Sequence, residues 1–298
     1  GSAIKTSKGE MDSSKESSRY VAFFGRAMYN YAEKYMASLS LRYDGSSRFG
    51  ANNKWALFPA VSLGWRISQE PFMKQVTWVD ELKLRAGFGM TGNQDFANYK
   101  SILRVEPVGY FYYDGKWSNA YAPSSNANPD LQWEKKSEWN VGLDFSLFKG
   151  RLGGAIDYYY RLTSNLLYNY KVPVPPYDYE QYFTNVGAIS NSGIELTLFG
   201  DPVKTKTVEW NTSLVFAMNR NKLISFTNEE FQGQEYRIAW LSTPLGANCQ
   251  RLIEGESIGT FYGPHFTKFS GDGNQKLQNI DQNEWLKLGS AYPLFTLG

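Results

Sequence analysis

Strict alternation of apolar and polar residues, sustained over runs of ten residues or more, is the feature that most narrows what this chain can fold into. Tyr35, Ala37, Leu39, Leu41 and Tyr43 point to one side of an extended chain, and Ser38, Ser40, Arg42 and Asp44 to the other, because successive side chains alternate across a strand. Helical spacing would scatter both sets. The pattern recurs with Leu82, Leu84, Ala86 and Phe88 set against Lys83, Arg85, Gly87 and Gly89. Further on, Trp139, Val141, Leu143, Phe145 and Leu147 alternate with Glu138, Asn140, Asp144 and Ser146, and Ile194, Leu196 and Leu198 with Gly193, Glu195 and Thr197. Eight strands are predicted, at 19–32, 34–44, 55–68, 81–91, 134–148, 151–170, 188–200 and 207–219.

The connections carry as much information as the strands. Residues 33–34 and 149–150 are short enough for tight turns, 201–206 links the seventh strand to the eighth, and 68–80 is intermediate. Between them lie long stretches rich in Gly, Asn, Ser, Pro and Tyr, at about 45–54, 92–133, 171–187 and 220–290. Short connections alternating with long ones describe an up-and-down meander with one plain end and one elaborated end. Outer-membrane barrels have that asymmetry, with brief periplasmic turns and long outer loops. The rival is a soluble β-sandwich, whose strands average about five or six residues. A tilted strand of about ten residues crosses the bilayer hydrocarbon, and only a closed sheet satisfies every backbone group there. The fold class expected is therefore all-β: an antiparallel up-and-down transmembrane barrel segment of about eight or more strands, forming an open, partial barrel. Arg42, Asp44, Arg85, Glu138, Asp144 and Glu195 sit on the polar side and are the candidates to line a wet lumen.

Composition closes off several function classes. Lys and Arg number 31 against 29 Asp and Glu, which gives no basic field for nucleic acid. A lone Cys249 and a lone His265 leave no internal disulfide, no Cys-based zinc cluster and no matched acid–base constellation. No catalytic residue, metal site or cofactor is expected, and a hydrolase would have to rest on His265. No apolar run approaches the roughly 18 residues of a spanning helix. Residues 1–18 are polar and are read as a disordered tail without an export signal, ahead of a barrel portion over 19–298.

Gly87-x-Gly89-x-x-Gly92 spells a dinucleotide fingerprint, yet a polar loop follows where a helix must open, so small residues at a strand end are the better reading. Gly271-Asp272-Gly273-Asn274 lacks the closing carboxylate of a calcium loop, and the sequon Asn211-Thr212-Ser213 falls inside a strand. Within 92–133, Tyr110, Tyr112, Tyr113, Trp117 and Tyr121 are candidates to stack on sugars or grip peptide side chains. The alternative is that such residues pack the loop or join an aromatic girdle.

Several ordered motifs resemble one family. Residues Arg42-Tyr43-Asp44-Gly45-Ser46-Ser47-Arg48-Phe49-Gly50 and Trp55-Ala56-Leu57-Phe58-Pro59-Ala60-Val61-Ser62-Leu63-Gly64-Trp65-Arg66-Ile67 are similar to the barrel of SusC/RagA-type TonB-dependent outer-membrane transporters. Leu82–Gly89 with Thr91-Gly92-Asn93-Gln94, then Asn128-Pro129-Asp130-Leu131-Gln132-Trp133-Glu134, then Asn185-Val186-Gly187-Ala188-Ile189-Ser190-Asn191-Ser192-Gly193-Ile194-Glu195, continue the resemblance in order. The resemblance implies a piece of the C-terminal half of a barrel of about 22 strands. It also implies import of an oligosaccharide or peptide, contact with outer-membrane lipid, a SusD-like surface lipoprotein as lid, and energy from a TonB complex acting through a plug absent from this chain. The competing function is a complete small outer-membrane barrel with an adhesive or structural role, which would pair its first strand with its eighth.

Overall fold

The computed structural model describes residues 15–226, 236–242, 247–264 and 285–288. Its first strands are β1 (Tyr20–Tyr31), β2 (Tyr35–Ser46), β3 (Trp55–Arg66) and β4 (Val79–Asn93), followed by β5 (Arg104–Tyr113) and β6 (Lys116–Ser125). Next come β7 (Glu134–Leu147), β8 (Leu152–Ser164), β9 (Leu167–Lys171), β10 (Gln181–Asn185), β11 (Ala188–Lys204) and β12 (Glu209–Ser225). The last are β13 (Tyr236–Leu241), β14 (Ala247–Leu252), β15 (Thr260–Pro264) and β16 (Trp285–Leu288). Eight of them form one antiparallel sheet in the order β1-β2-β3-β4-β7-β8-β11-β12. Each matches one of the eight strands expected from alternation.

Three differences lie outside that sheet. The strand expected over 151–170 breaks at Asn165, where φ is +56°; the chain leaves the main sheet there and returns as β9, paired with β10. The stretch 92–133 carries the β5–β6 hairpin, closed by Asp114 and Gly115 at φ +48° and +72°, a type I′ turn that suits the strand twist. Beyond 220, β12 runs on to Ser225, and β13 to β16 make a separate four-stranded sheet. The 68–80 connection folds into two 3-10 turns, Ile67–Gln69 and Pro71–Gln75. His265 and Gly271-Asp272-Gly273-Asn274 fall outside the described residues.

Register turns the alternation of single strands into two continuous faces. Leu39 pairs with Ala27 and Val61, Val61 with Phe88, Phe88 with Trp139, and Trp139 with Tyr160. Toward the short turns, Leu84, Leu143, Ile156, Leu196 and Phe216 form a second row. These side chains stay open: Leu39 is 45% exposed, Trp139 58% and Phe216 51%, although all lie in the middle of strands. In a sandwich, a second sheet would cover them. No such layer exists among the described residues.

Aromatics gather at the two ends of this apolar face. Near the short turns stand Tyr29, Tyr31, Tyr35 and Trp65, with Tyr31 stacked on Tyr35 at 6.4 Å and Trp78 on Phe148 at 5.9 Å. At the other end Tyr43 stacks on Trp55 at 4.9 Å, beside Phe23. Two aromatic belts around an apolar band are what a sheet that meets a bilayer presents. The sheet's outer strands are β1 and β12, with no pairing between them. A closed small barrel needs that pairing, so the small-barrel reading loses its structural basis.

Candidate functional site

The polar face is organised around charge. From β4, Arg85 donates through Nε and Nη2 to the two carboxylate oxygens of Asp144 on β7, at 2.8 and 2.7 Å, and through Nη2 to Asp157 on β8 at 2.9 Å. A planar guanidinium fork matches a carboxylate in this two-point geometry. Gly142 makes room for it, because a Cβ there would stand 2.2 Å from Asp157 Oδ1 and 2.8 Å from Arg85 Nη2. Four residues before Gly142 on β7, Glu138 accepts from Arg161 Nε at 2.8 Å. Arg85, Asp144, Glu138 and Arg161 are each about one-third exposed, as ion pairs facing water would be.

Between these clusters and β1 runs a shallow trough of about 740 Å³, floored by Ser38, Ser40, Ser62, Gly87 and Gly89 and flanked by Arg26 and Arg42. Ser38 and Ser62 share a 2.8 Å hydrogen bond across β2 and β3. The glycines of the apparent nucleotide fingerprint thus belong to a smooth wall: at Gly87 a Cβ would press to 2.4 Å from Asn140 Oδ1. Arg42 bonds Asp44 at 2.8 Å and also donates to the Tyr20 hydroxyl. Asp44 lies on this face but is only 4% exposed. Glu195 is exposed opposite Asp157, with no ion pair among the described residues. Asp157, Arg161 and Arg26 complete the face and were not among the residues singled out from sequence; their polar positions in the alternation of β8 and β1 were the available signal.

At the elaborated end, the loops build a core of their own. Phe49, Phe58, Leu131 and Trp133 are at most 5% exposed, and the Phe49 and Trp133 rings lie 4.4 Å apart. Gly50 admits the neighbouring chain, since a Cβ there would sit 2.1 Å from the Pro129 carbonyl oxygen. Buried amides tie the segments together. Asn185 accepts from the Gln132 N–H and donates to the Gln132 carbonyl, both at 2.8 Å, and Asn126 and Asn128 donate to carbonyls of Tyr179, Gln181 and Phe183. The motif residues at 48–50, 128–134 and 185–187 therefore form a rim that clamps three loops.

The β5–β6 hairpin projects from that rim. Tyr110, Tyr112 and Trp117 fall on one face by register, with Tyr112 edge-on to Trp117 at 5.4 Å; Tyr121 pairs opposite Pro107, and Tyr113 lies beside the turn. All five are exposed, from 61 to 73%.

At the plain end, Glu70 is 8% exposed and accepts from the Tyr35 hydroxyl at 2.6 Å and from Trp65 Nε1 at 3.1 Å, with Lys34 at 3.5 Å. The Tyr35 hydrogen bond, then that of Trp65, holds its carboxyl below the usual carboxylate range. This clasp fixes two belt aromatics to the 68–80 connection.

Comparison with known proteins agrees with this architecture. The family described as "TonB dependent receptor-like, beta-barrel" matches residues 2–283. TonB-dependent receptor P39 of Formosa agariphila is 36% identical over 274 residues, covering 88% of this chain and 24% of the relative. TonB-dependent receptor SusC of Bacteroides thetaiotaomicron is 37% identical over 210 residues, covering 70% and 21%. Among solved structures, that of the RagAB peptide transporter superposes with a TM-score of 0.70 at 28% identity, over 85% of this chain and 26% of that one. The chain spans about a quarter of the length of the curated relatives it matches. An open arc of long antiparallel strands, apolar on one face and ion-paired on the other, under a rim built from the shared motifs, belongs to the TonB-dependent receptor β-barrel family, alongside SusC and RagA.

Proposed function

We propose that this chain forms part of the wall of an outer-membrane transporter that imports oligosaccharides or peptides. The observation that carries the reading is the pairing of one uncovered apolar face with one charged, water-exposed face on the same eight strands. The apolar face meets outer-membrane lipid. The polar face, with Arg42, Arg85, Glu138, Asp144 and Glu195, lines the lumen, and the exposed aromatics of the β5–β6 hairpin meet substrate at the outer mouth. Passage requires binding, orientation and release, and no bond to the substrate is made or broken, so no acid–base pair is needed.

A SusD-like lipoprotein covering the rim and a TonB complex supplying energy are the partners this reading includes. Their support is kinship: a relative is named SusC, and solved neighbours are titled as a peptide transporter or importer. The test is uptake by cells that express the parent protein, supplied with labelled oligosaccharide or labelled oligopeptide. Accumulation of one of them, abolished when TonB is removed, is the expected result. Unchanged accumulation without TonB contradicts the reading.

A further inference from the structure

We infer that the plain end of the apolar face holds a specific site for one zwitterionic phospholipid of the inner leaflet, with its phosphate on Arg151 and its ammonium on Asp201. The inference rests on the membrane-facing reading above and goes beyond it by naming a site and a headgroup.

The apolar face is not uniform near the short turns. Gly154 pairs with Leu198, Leu198 with Leu214, and Gly200 with both Leu152 and Thr212. Gly200 among leucines leaves a depression, and a cavity of about 580 Å³ opens there, lined mainly by apolar atoms of Leu152, Leu198, Leu214 and Phe148. An acyl chain is the complement of a groove of that kind that is continuous with a lipid-facing surface. Glycine is required at 200, where a Cβ would stand 2.8 Å from the Arg151 carbonyl oxygen.

Charge at the lip of the groove selects the headgroup. Arg151 and Asp201 both line the cavity and are joined through the backbone, the Asp201 N–H donating to the Arg151 carbonyl at 2.9 Å. The Arg151 guanidinium is exposed and makes no ion pair among the described residues, so its fork is available to a phosphate. Asp201 already accepts from Asn211 Nδ2 at 2.7 Å through one oxygen, which orients the carboxylate. A cation and an anion side by side at the bilayer interface match the phosphate and ammonium of phosphatidylethanolamine. They do not match phosphatidylglycerol, whose phosphate is joined to an uncharged glycerol with no ammonium.

The experiment uses the parent protein in lipid nanodiscs and then in mild detergent, with bound lipid read by native mass spectrometry after addition of phosphatidylethanolamine or phosphatidylglycerol. One phosphatidylethanolamine retained in preference to phosphatidylglycerol is expected. Arg151→Ala lowers its occupancy about tenfold, the loss of a charge-assisted hydrogen bond. Asp201→Asn removes the preference between the two lipids, and Thr212→Phe, which fills the groove, displaces both. Quenching of tryptophan fluorescence by brominated acyl chains is measured on the same samples and stays unchanged in all three variants. Equal retention of both lipids, unaffected by Arg151→Ala and Thr212→Phe, overturns the site while normal quenching leaves the membrane reading standing. Absence of quenching in the unsubstituted chain overturns the membrane reading, and the site with it.

Discussion

Single residues on this sheet have opposite tolerances according to the face they occupy. Leu39 and Ser40 are neighbours in β2, yet Leu39 shares its row with Val61 and Phe88, while Ser40 floors the trough beside Arg26. Leu39→Arg is expected to cost about 2–4 kcal/mol near the middle of a bilayer and Ser40→Arg much less, measured by urea unfolding in vesicles. Gly142 has the reverse constraint. Gly142→Val would drive methyl groups into Asp157 and Arg85, freeing two carboxylates from their cation, and is expected to destabilise by about 3 kcal/mol in the same assay. Glu70 supplies a pH signature. Its folded-state pKa lies below the ordinary 4.5, so its ionised form stabilises the fold above that value, and this contribution is lost as pH falls through the lower, folded pKa. Glu70→Gln is therefore expected to be less stable than the parent at neutral pH, with the gap closing below pH 4.5, as a pH series of unfolding midpoints would record.

At the scale of elements, the main-sheet strands were legible because each runs for twelve residues or more with one wet and one apolar side. The β5–β6 hairpin was not, because Tyr110, Phe111, Tyr112 and Tyr113 follow one another without alternation: both faces of that hairpin are open, so neither is forced to be polar. The break between β8 and β9 was hidden for another reason. Asn165 at positive φ diverts the chain, whereas the pattern on both sides of it still reads as strand. Nor could the Arg85–Asp144–Asp157 cluster be assembled from sequence, since β4 meets β7 only after the intervening hairpin is set aside. The rim motifs were visible as words but not as a mechanism. With the reciprocal bonds of Asn185 to Gln132 known, Asn185→Ala is expected to leave the main sheet intact and to speed amide exchange at Gln132 and along β10. Exchange confined to the substituted residue would count against a clamped rim.

For the whole molecule, an open eight-stranded arc with an uncovered apolar face is stable only where that face is solvated by hydrocarbon and its outer strands are paired by further chain. The proposed roles in transport and lipid contact follow from which face meets which solvent. Ser38, Leu39, Ser40 and Leu41 sample both faces within one strand, and the lone Cys249 is easily removed. In a Cys249→Ser background in intact membranes, single Ser38→Cys, Leu39→Cys, Ser40→Cys and Leu41→Cys substitutions would be titrated with a membrane-impermeant maleimide. Labelling at 38 and 40 with protection at 39 and 41 is the predicted result; uniform labelling, or the opposite alternation, would contradict the account.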